Sequence, residues 1–156
     1  MNVRTRIPAT SSGALAWWVK CTLEGYALGC APQMHEWGLP SLYQSGVVFR
    51  YEPNHGDGEE EFAQPPDVFA RQWGDCDDLV VYRLAECLAA ELDRQNFFAS
   101  DERRQRALLR KMCVGVASGR LPSIVADWRG ESLHVLIRFP NGQTEDPSIL
   151  LGAPTQ

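Results

Sequence analysis

The chain has 156 residues, 44% of them hydrophobic and 22% charged, with a formal net charge of -5 and a pI near 5.2. That length suits one domain able to bury a real core, and the composition is that of an ordinary soluble globular protein. An acidic balance with no basic stripe argues against nucleic acid as a partner. The apolar run 14–19 is too short to span a bilayer and is broken by Lys20, so no membrane span is expected.

Residues 1–10 carry Arg4 and Arg6 with no apolar run and small-residue cleavage site behind them, so they do not read as a secretion signal. Residues 12–28 read as a first helix, capped by Ser11 or Ser12 and stopped at Gly29. Residues 29–45, rich in Gly, Pro and aromatics, look irregular. Residues 46–52 are β-rich and end at Pro53. Residues 54–61 read as a solvated acidic loop that lacks the alternating ligands of a calcium-binding EF-hand. Gln64-Pro65-Pro66-Asp67 starts a short helix near residues 68–71.

A central helix is expected over residues 75–96, with Leu79, Val80, Leu84, Cys87, Leu88 and Leu92 at helical spacing and Cys76 on the same stripe. Residues 101–111 form another helix in this reading, its cluster Arg103, Arg104, Arg106, Arg110 and Lys111 a solvated face. Residues 112–117 read as a strand, and residues 132–139 and 143–150 as a hairpin. Helices first and strands later is an α+β pattern.

Five cysteines, Cys21, Cys30, Cys76, Cys87 and Cys113, with no C-x-x-C pair, fit neither a disulfide framework nor a zinc knuckle. Synthesis in a reducing cytoplasm is the simplest context. Cys87 and Cys113 read as inert core residues. Cys76 differs, because Trp73-Gly74-Asp75-Cys76-Asp77-Asp78 sets it in the first turn of the long helix. Unpaired N–H groups and the positive end of the helix dipole stabilise a thiolate there. Asp77 and Asp78 oppose that ionisation.

His134 follows on a strand and Asp146 on the next, in the chain order of a cysteine-nucleophile triad. Cys76 would attack a carbonyl, His134 shuttle the proton, and Asp146 hold the imidazole. The Cys76 N–H would help bind the oxyanion, with Gln72 and Trp73 as the oxyanion or substrate-side candidates. Zinc on Cys76, His134 and Asp146 would have too few ligands at recognisable spacing; no metal and no cofactor is expected. His35 and His55 sit in loops without a partner motif.

Asn141-Gly142 favours a two-residue turn, which would pair Ile137 with Asp146 and turn Asp146 away from His134. A triad needs the other parity, since a one-residue slip flips the face. A three-residue turn with a bulge at Gly142, opposing Leu136 to Asp146, is therefore expected.

Gly74-Asp75-Cys76-Asp77-Asp78, His134-Val135 and Asp146-Pro147-Ser148 resemble the three core motifs of the transglutaminase-like superfamily. Val48-Phe49-Arg50-Tyr51-Glu52 and the residues 145–152 are similar to its small members encoded by tailed phages and prophages. The resemblance implies a papain-like core, with the Cys-bearing helix packed on an antiparallel sheet, and the triad Cys76, His134 and Asp146. It implies one domain, residues 1–156, in which residues 46–151 are the catalytic-type core and residues 1–45 an N-terminal helical extension. The function expected is a phage-associated cysteine enzyme of acyl transfer, hydrolysing an amide bond in a peptide or cell-wall peptide. Its partners would be a peptide or protein substrate and other phage particle proteins, and its destination a virion. The rival expectation is a structural or adaptor component of a virion or injection particle that keeps the fold with little activity. Two departures from the family pattern stand out. Leu136 occupies a place where an aromatic is common, and Cys113-Val114-Gly115-Val116-Ala117 only echoes the strand that carries substrate contacts.

Overall fold

The computed structural model describes residues 3–6, 12–51, 59–129 and 132–154. The fold is α+β, arranged around one central helix, α4 (Cys76–Arg94). Helix α1 (Ser12–Cys30) runs past Gly29, which does not stop it because Cys30 is buried in the core and extends the packed face. Val19, Leu23 and Ala27 share that face and join Leu79, Leu84 and Leu88 of α4 in one hydrophobic cluster. The stretch after α1 is more ordered than its composition suggests. A 3₁₀ turn (Ala31–Gln33), the short helix α2 (Met34–Trp37) and a second 3₁₀ turn (Leu42–Gln44) wind round α4. Tyr82 of α4 donates its hydroxyl to the Pro40 carbonyl at 2.9 Å.

Three small sheets follow. Strand β1 (Val3–Arg6) pairs antiparallel with β3 (Glu59–Phe62), so Glu59, Glu60 and Glu61 lie in a strand rather than the expected loop. Of the β-rich stretch 46–52, only β2 (Val48–Phe49) is strand among the described residues 46–51, limited by a partner equally short, the parallel β4 (Trp73–Gly74). Pro53, His55 and the rest of residues 52–58 lie outside the described residues. Helix α3 (Pro65–Arg71) starts where the two prolines pre-set its first turn.

Helix α5 (Glu102–Ala117) overturns the expected strand at 112–117. Asp101 caps it, accepting the Arg104 N–H at 2.8 Å. Met112, Gly115 and Val116 are buried at helical spacing, which outweighs the strand preference of the valines. Cys113 is exposed and Cys87 only partly buried, so neither is the enclosed core cysteine expected. The longer partner of the His-bearing strand is β5 (Ser123–Arg129), which lies beside it opposite the expected hairpin strand. It pairs antiparallel with β6 (Ser132–Arg138), which in turn pairs with β7 (Thr144–Glu145), in the order β5-β6-β7. The second strand of the expected hairpin stops after two residues. Asp146-Pro147-Ser148 then starts helix α6 (Pro147–Leu150), because Asp at the cap and Pro at the first position favour a helix start.

Candidate active site

Three elements bring the candidate residues to one place: the first turn of α4, the middle strand β6, and the junction of β7 with α6. The β6–β7 register opposes Ile137 to Glu145 and Arg138 to Thr144. The Gly142 N–H returns to the Phe139 carbonyl at 2.9 Å, and the Phe139 N–H reaches Gln143 at 2.8 Å. Gly142 has φ +83, a value that suits a residue without a Cβ. The turn is thus the three-residue one, with its bulge at Gly142, and Asp146 comes next after the residue facing Ile137.

That register delivers the pair. His134 Nε2 lies 2.6 Å from Asp146 Oδ2, with both side chains largely buried. The other carboxylate oxygen caps α6, accepting the Ser148 N–H at 3.1 Å and the Ile149 N–H at 3.3 Å. Asp146 therefore cannot rotate away from His134 without uncapping a helix. With Nε2–H donated to the carboxylate, Nδ1 is the imidazole nitrogen left to accept a proton.

Cys76 sits in the first turn of α4, packed partly against the core. The backbone N–H of Val135, the residue after His134, donates toward its sulfur, so strand β6 meets Cys76 beside the histidine. Burial pushes the Cys76 thiol well above its ordinary range, and the Asp77 and Asp75 carboxylates push it further; the Val135 N–H and its own N–H pull the other way. The resting sulfur is a neutral thiol that needs a base. Cys76, His134 and Asp146 do not offer donor atoms that all lie within 4.8 Å of one another. His134 and Asp146 are joined directly, and Cys76 is linked to the same strand through the Val135 N–H.

The segment leading into α4 is held tightly. Arg71 donates its Nε to the Trp73 carbonyl at 2.9 Å and pairs with the Asp78 carboxylate, which also accepts the Ala63 N–H at 2.8 Å. Asp75, Asp77 and Asp78 are the one cluster of carboxylates among the described residues that could meet on a cation, but both Asp78 oxygens already have these partners. A Cβ on Gly74 would come within 3.1 Å of Asp78 and 3.3 Å of Val68, so this position packs α3 directly on α4. Trp73 has two guanidinium groups near its ring, Arg71 at 4.0 Å and Arg50 at 5.3 Å from its centre. Gln72 has φ +60, and its amide donates back to the Phe69 carbonyl at 2.6 Å.

Three contributors escaped the sequence reading. The Val135 N–H is a backbone group with no signature of its own. Asp127 stands opposite His134 on β5, and β5 itself was missed. Arg83 of α4 donates to Glu145 at 2.7 Å, where the Tyr43 hydroxyl also donates at 2.6 Å. That network ties the residue before Asp146 to the helix that carries Cys76. An arginine at the eighth position of the Cys-bearing helix was the only available hint. His35 stacks on Phe98 with ring centres 4.8 Å apart, a packing role.

No family model, curated protein or solved structure matches the chain.

Proposed function

We propose that the chain is a cysteine-nucleophile acyl-transfer enzyme with a transglutaminase-like, papain-like core, hydrolysing an amide bond in a peptide or cell-wall peptide. The observation that carries the reading is the 2.6 Å His134–Asp146 bond formed on the strand whose next N–H meets the Cys76 sulfur. As the sulfur attacks the carbonyl carbon, its proton passes to His134 Nδ1 and the carbonyl π pair moves to oxygen. Collapse expels the amine, which takes that proton, and leaves a thioester on Cys76. Water then attacks the thioester, giving a proton to His134. The second collapse releases the carboxylic acid and returns the proton to sulfur. Asp146 stabilises the transient imidazolium throughout. The setting proposed is a tailed phage or prophage, with the protein made in the cytoplasm and carried in a virion.

A second reading is favoured by the setting of Cys76, a partly buried sulfur beside Asp75 and Asp77, where the thiolate is disfavoured. A particle component keeping the fold as an interaction module would tolerate such a sulfur. Iodoacetamide alkylation, followed site by site with mass spectrometry, separates the two. The enzyme reading expects Cys76 to be labelled at pH 7 with a rate that falls about 10²-fold in His134→Ala. Exposed Cys21 and Cys113 will label too, and their rates serve as internal controls. Cys76 labelling indifferent to His134 would overturn the enzyme.

A further inference from the structure

Resting on the acyl-transfer reading, we infer that Arg50, held against Trp73, binds a carboxylate on the acyl side of the substrate, so that the preferred peptide is acidic next to the bond it loses. The argument starts with register. β2 runs parallel to β4 with Val48 beside Trp73 and Phe49 beside Gly74. The Arg50 N–H continues that ladder onto the Gly74 carbonyl at 2.9 Å. The next place along the partner chain is Asp75, and the one after is the nucleophile. A two-residue sheet thus sets the Arg50 backbone level with the residue before Cys76, with its guanidinium over Trp73.

The second step is charge. Trp73 has a guanidinium near its ring from both Arg71 and Arg50, but the two cations differ. Arg71 is engaged by Asp78 and by the Trp73 carbonyl. Arg50 is exposed and has no carboxylate partner among the described residues. Stacking on an aromatic ring orders an arginine without using up its fork of donors, which matches a carboxylate in a two-pronged way. The strand around it is unusually open for its apolar content, with Val48 53% and Tyr51 64% exposed and Phe49 set edge-on to Tyr51. The exposed Tyr51, braced by Phe49, which packs on the core, makes with Arg50 a shelf for an extended, anionic peptide.

The third step is direction. The departing amine must collect its proton from His134, so it leaves on the β6 side of the sulfur. The acyl remainder therefore points the other way, over the start of α4 and toward β2 and β4. On a chain of net charge -5 an acidic peptide is repelled at long range, and a local cation is what would draw its carboxylate in.

The test uses two N-acetyl dipeptidyl fluoromethyl ketones ending in Ala, identical except for Glu or Gln as the preceding residue, with labelling of Cys76 read by mass spectrometry. Wild-type protein is expected to label about threefold to tenfold faster with the Glu probe at low salt, an advantage that shrinks as salt is raised. Arg50→Gln should bring the ratio to about one, and Arg50→Glu should invert it, while the iodoacetamide rate stays unchanged. Arg50 is on the surface and its backbone bond survives substitution, so both variants keep the fold, checked by circular dichroism. Equal labelling by the two probes in wild type, or a Glu preference that survives Arg50→Gln, overturns the inference while His134-dependent alkylation leaves the acyl-transfer reading standing. Failure of Cys76 to react with iodoacetamide in a His134-dependent way overturns both.

Discussion

Asp146 divides its two carboxylate oxygens between two tasks, one accepting from His134 and the other capping α6. Two substitutions separate them. Asp146→Asn keeps an acceptor for the cap but loses the charge that, in the proposed acyl transfer, stabilises the imidazolium; stability should hold while any Cys76-dependent turnover falls about 10³-fold or more. Asp146→Ala loses both, and chemical denaturation should show an added cost of about 1 kcal/mol from the lost cap. Equal stability loss in the two variants would mean that the cap is not what holds Asp146. Asp77 acts on the Cys76 thiol in the opposite sense. Its negative charge disfavours the thiolate, so Asp77→Asn should lower the Cys76 pKa toward the ordinary thiol value and raise the thiolate fraction at pH 7. The midpoint of the iodoacetamide rate against pH should move to lower pH. A midpoint that stays put or rises would show that burial alone sets the thiol's state.

At the scale of elements, α4 is the helix on which the others are assembled. Leu79, Val80, Val81, Tyr82, Leu84, Ala85, Leu88 and Leu92 are all buried, so the apolar face wraps well beyond a single stripe. Leu84→Ala should therefore cost about 2–5 kcal/mol in equilibrium unfolding, the range for a fully enclosed leucine; a cost below about 1 kcal/mol would mean that the site relaxes to fill the gap. This helix was legible in the sequence because its period, cap region and length agree with one another. The parity of the β6–β7 turn was legible by a different route, since only one register lets Asp146 reach His134. What was not legible lay in partners distant along the chain. Ser123–Arg129 carries Asp127, Trp128 and Arg129, which blur any alternation, and it becomes a strand because Ile124 can bury opposite Ile137. Met112–Ala117 looks like a strand locally, yet the cap at Asp101 lets a helix continue through it to bury Met112 and Val116. Gln72 and Trp73, the oxyanion or substrate-side candidates, come just before the Cys76-bearing helix in the chain. Their side-chain partners, Phe69 for one and two arginines for the other, depend on a left-handed turn and a parallel strand pair that no local pattern announces.

At the scale of the molecule, the question is how far residues 1–45 are an addition to a finished core. Charge and packing both answer against separability. The buried Glu24 of α1 pairs with Lys20 and accepts the Ile124 N–H at 2.9 Å, so a carboxylate from the first helix satisfies a buried backbone donor on β5. Val19, Leu23, Met34 and Leu42 are enclosed in the same cluster as Leu79 and Leu88. Burying four such side chains is worth about 6–12 kcal/mol, comparable with the whole stability of an ordinary domain, about 5–15 kcal/mol. Removing them would also open the α4 face they cover. Most N-terminal aromatics share this role: Trp18, Tyr26 and Trp37 pack on the core, whereas Trp17 is 66% exposed and Tyr43 37% exposed, its hydroxyl tied to Glu145. An apolar docking surface on this segment would thus rest on Trp17 rather than on the whole aromatic set. A chain of residues 46–156 should then fail to fold. It should show no cooperative thermal transition, poorly dispersed amide resonances and binding of an apolar dye, whereas Trp17→Ala in the full chain should unfold at nearly the wild-type temperature. A cooperative transition in the shortened chain, with Cys76 still alkylated in a His134-dependent way, would establish residues 46–151 as a self-sufficient core and make α1 an accessory to it.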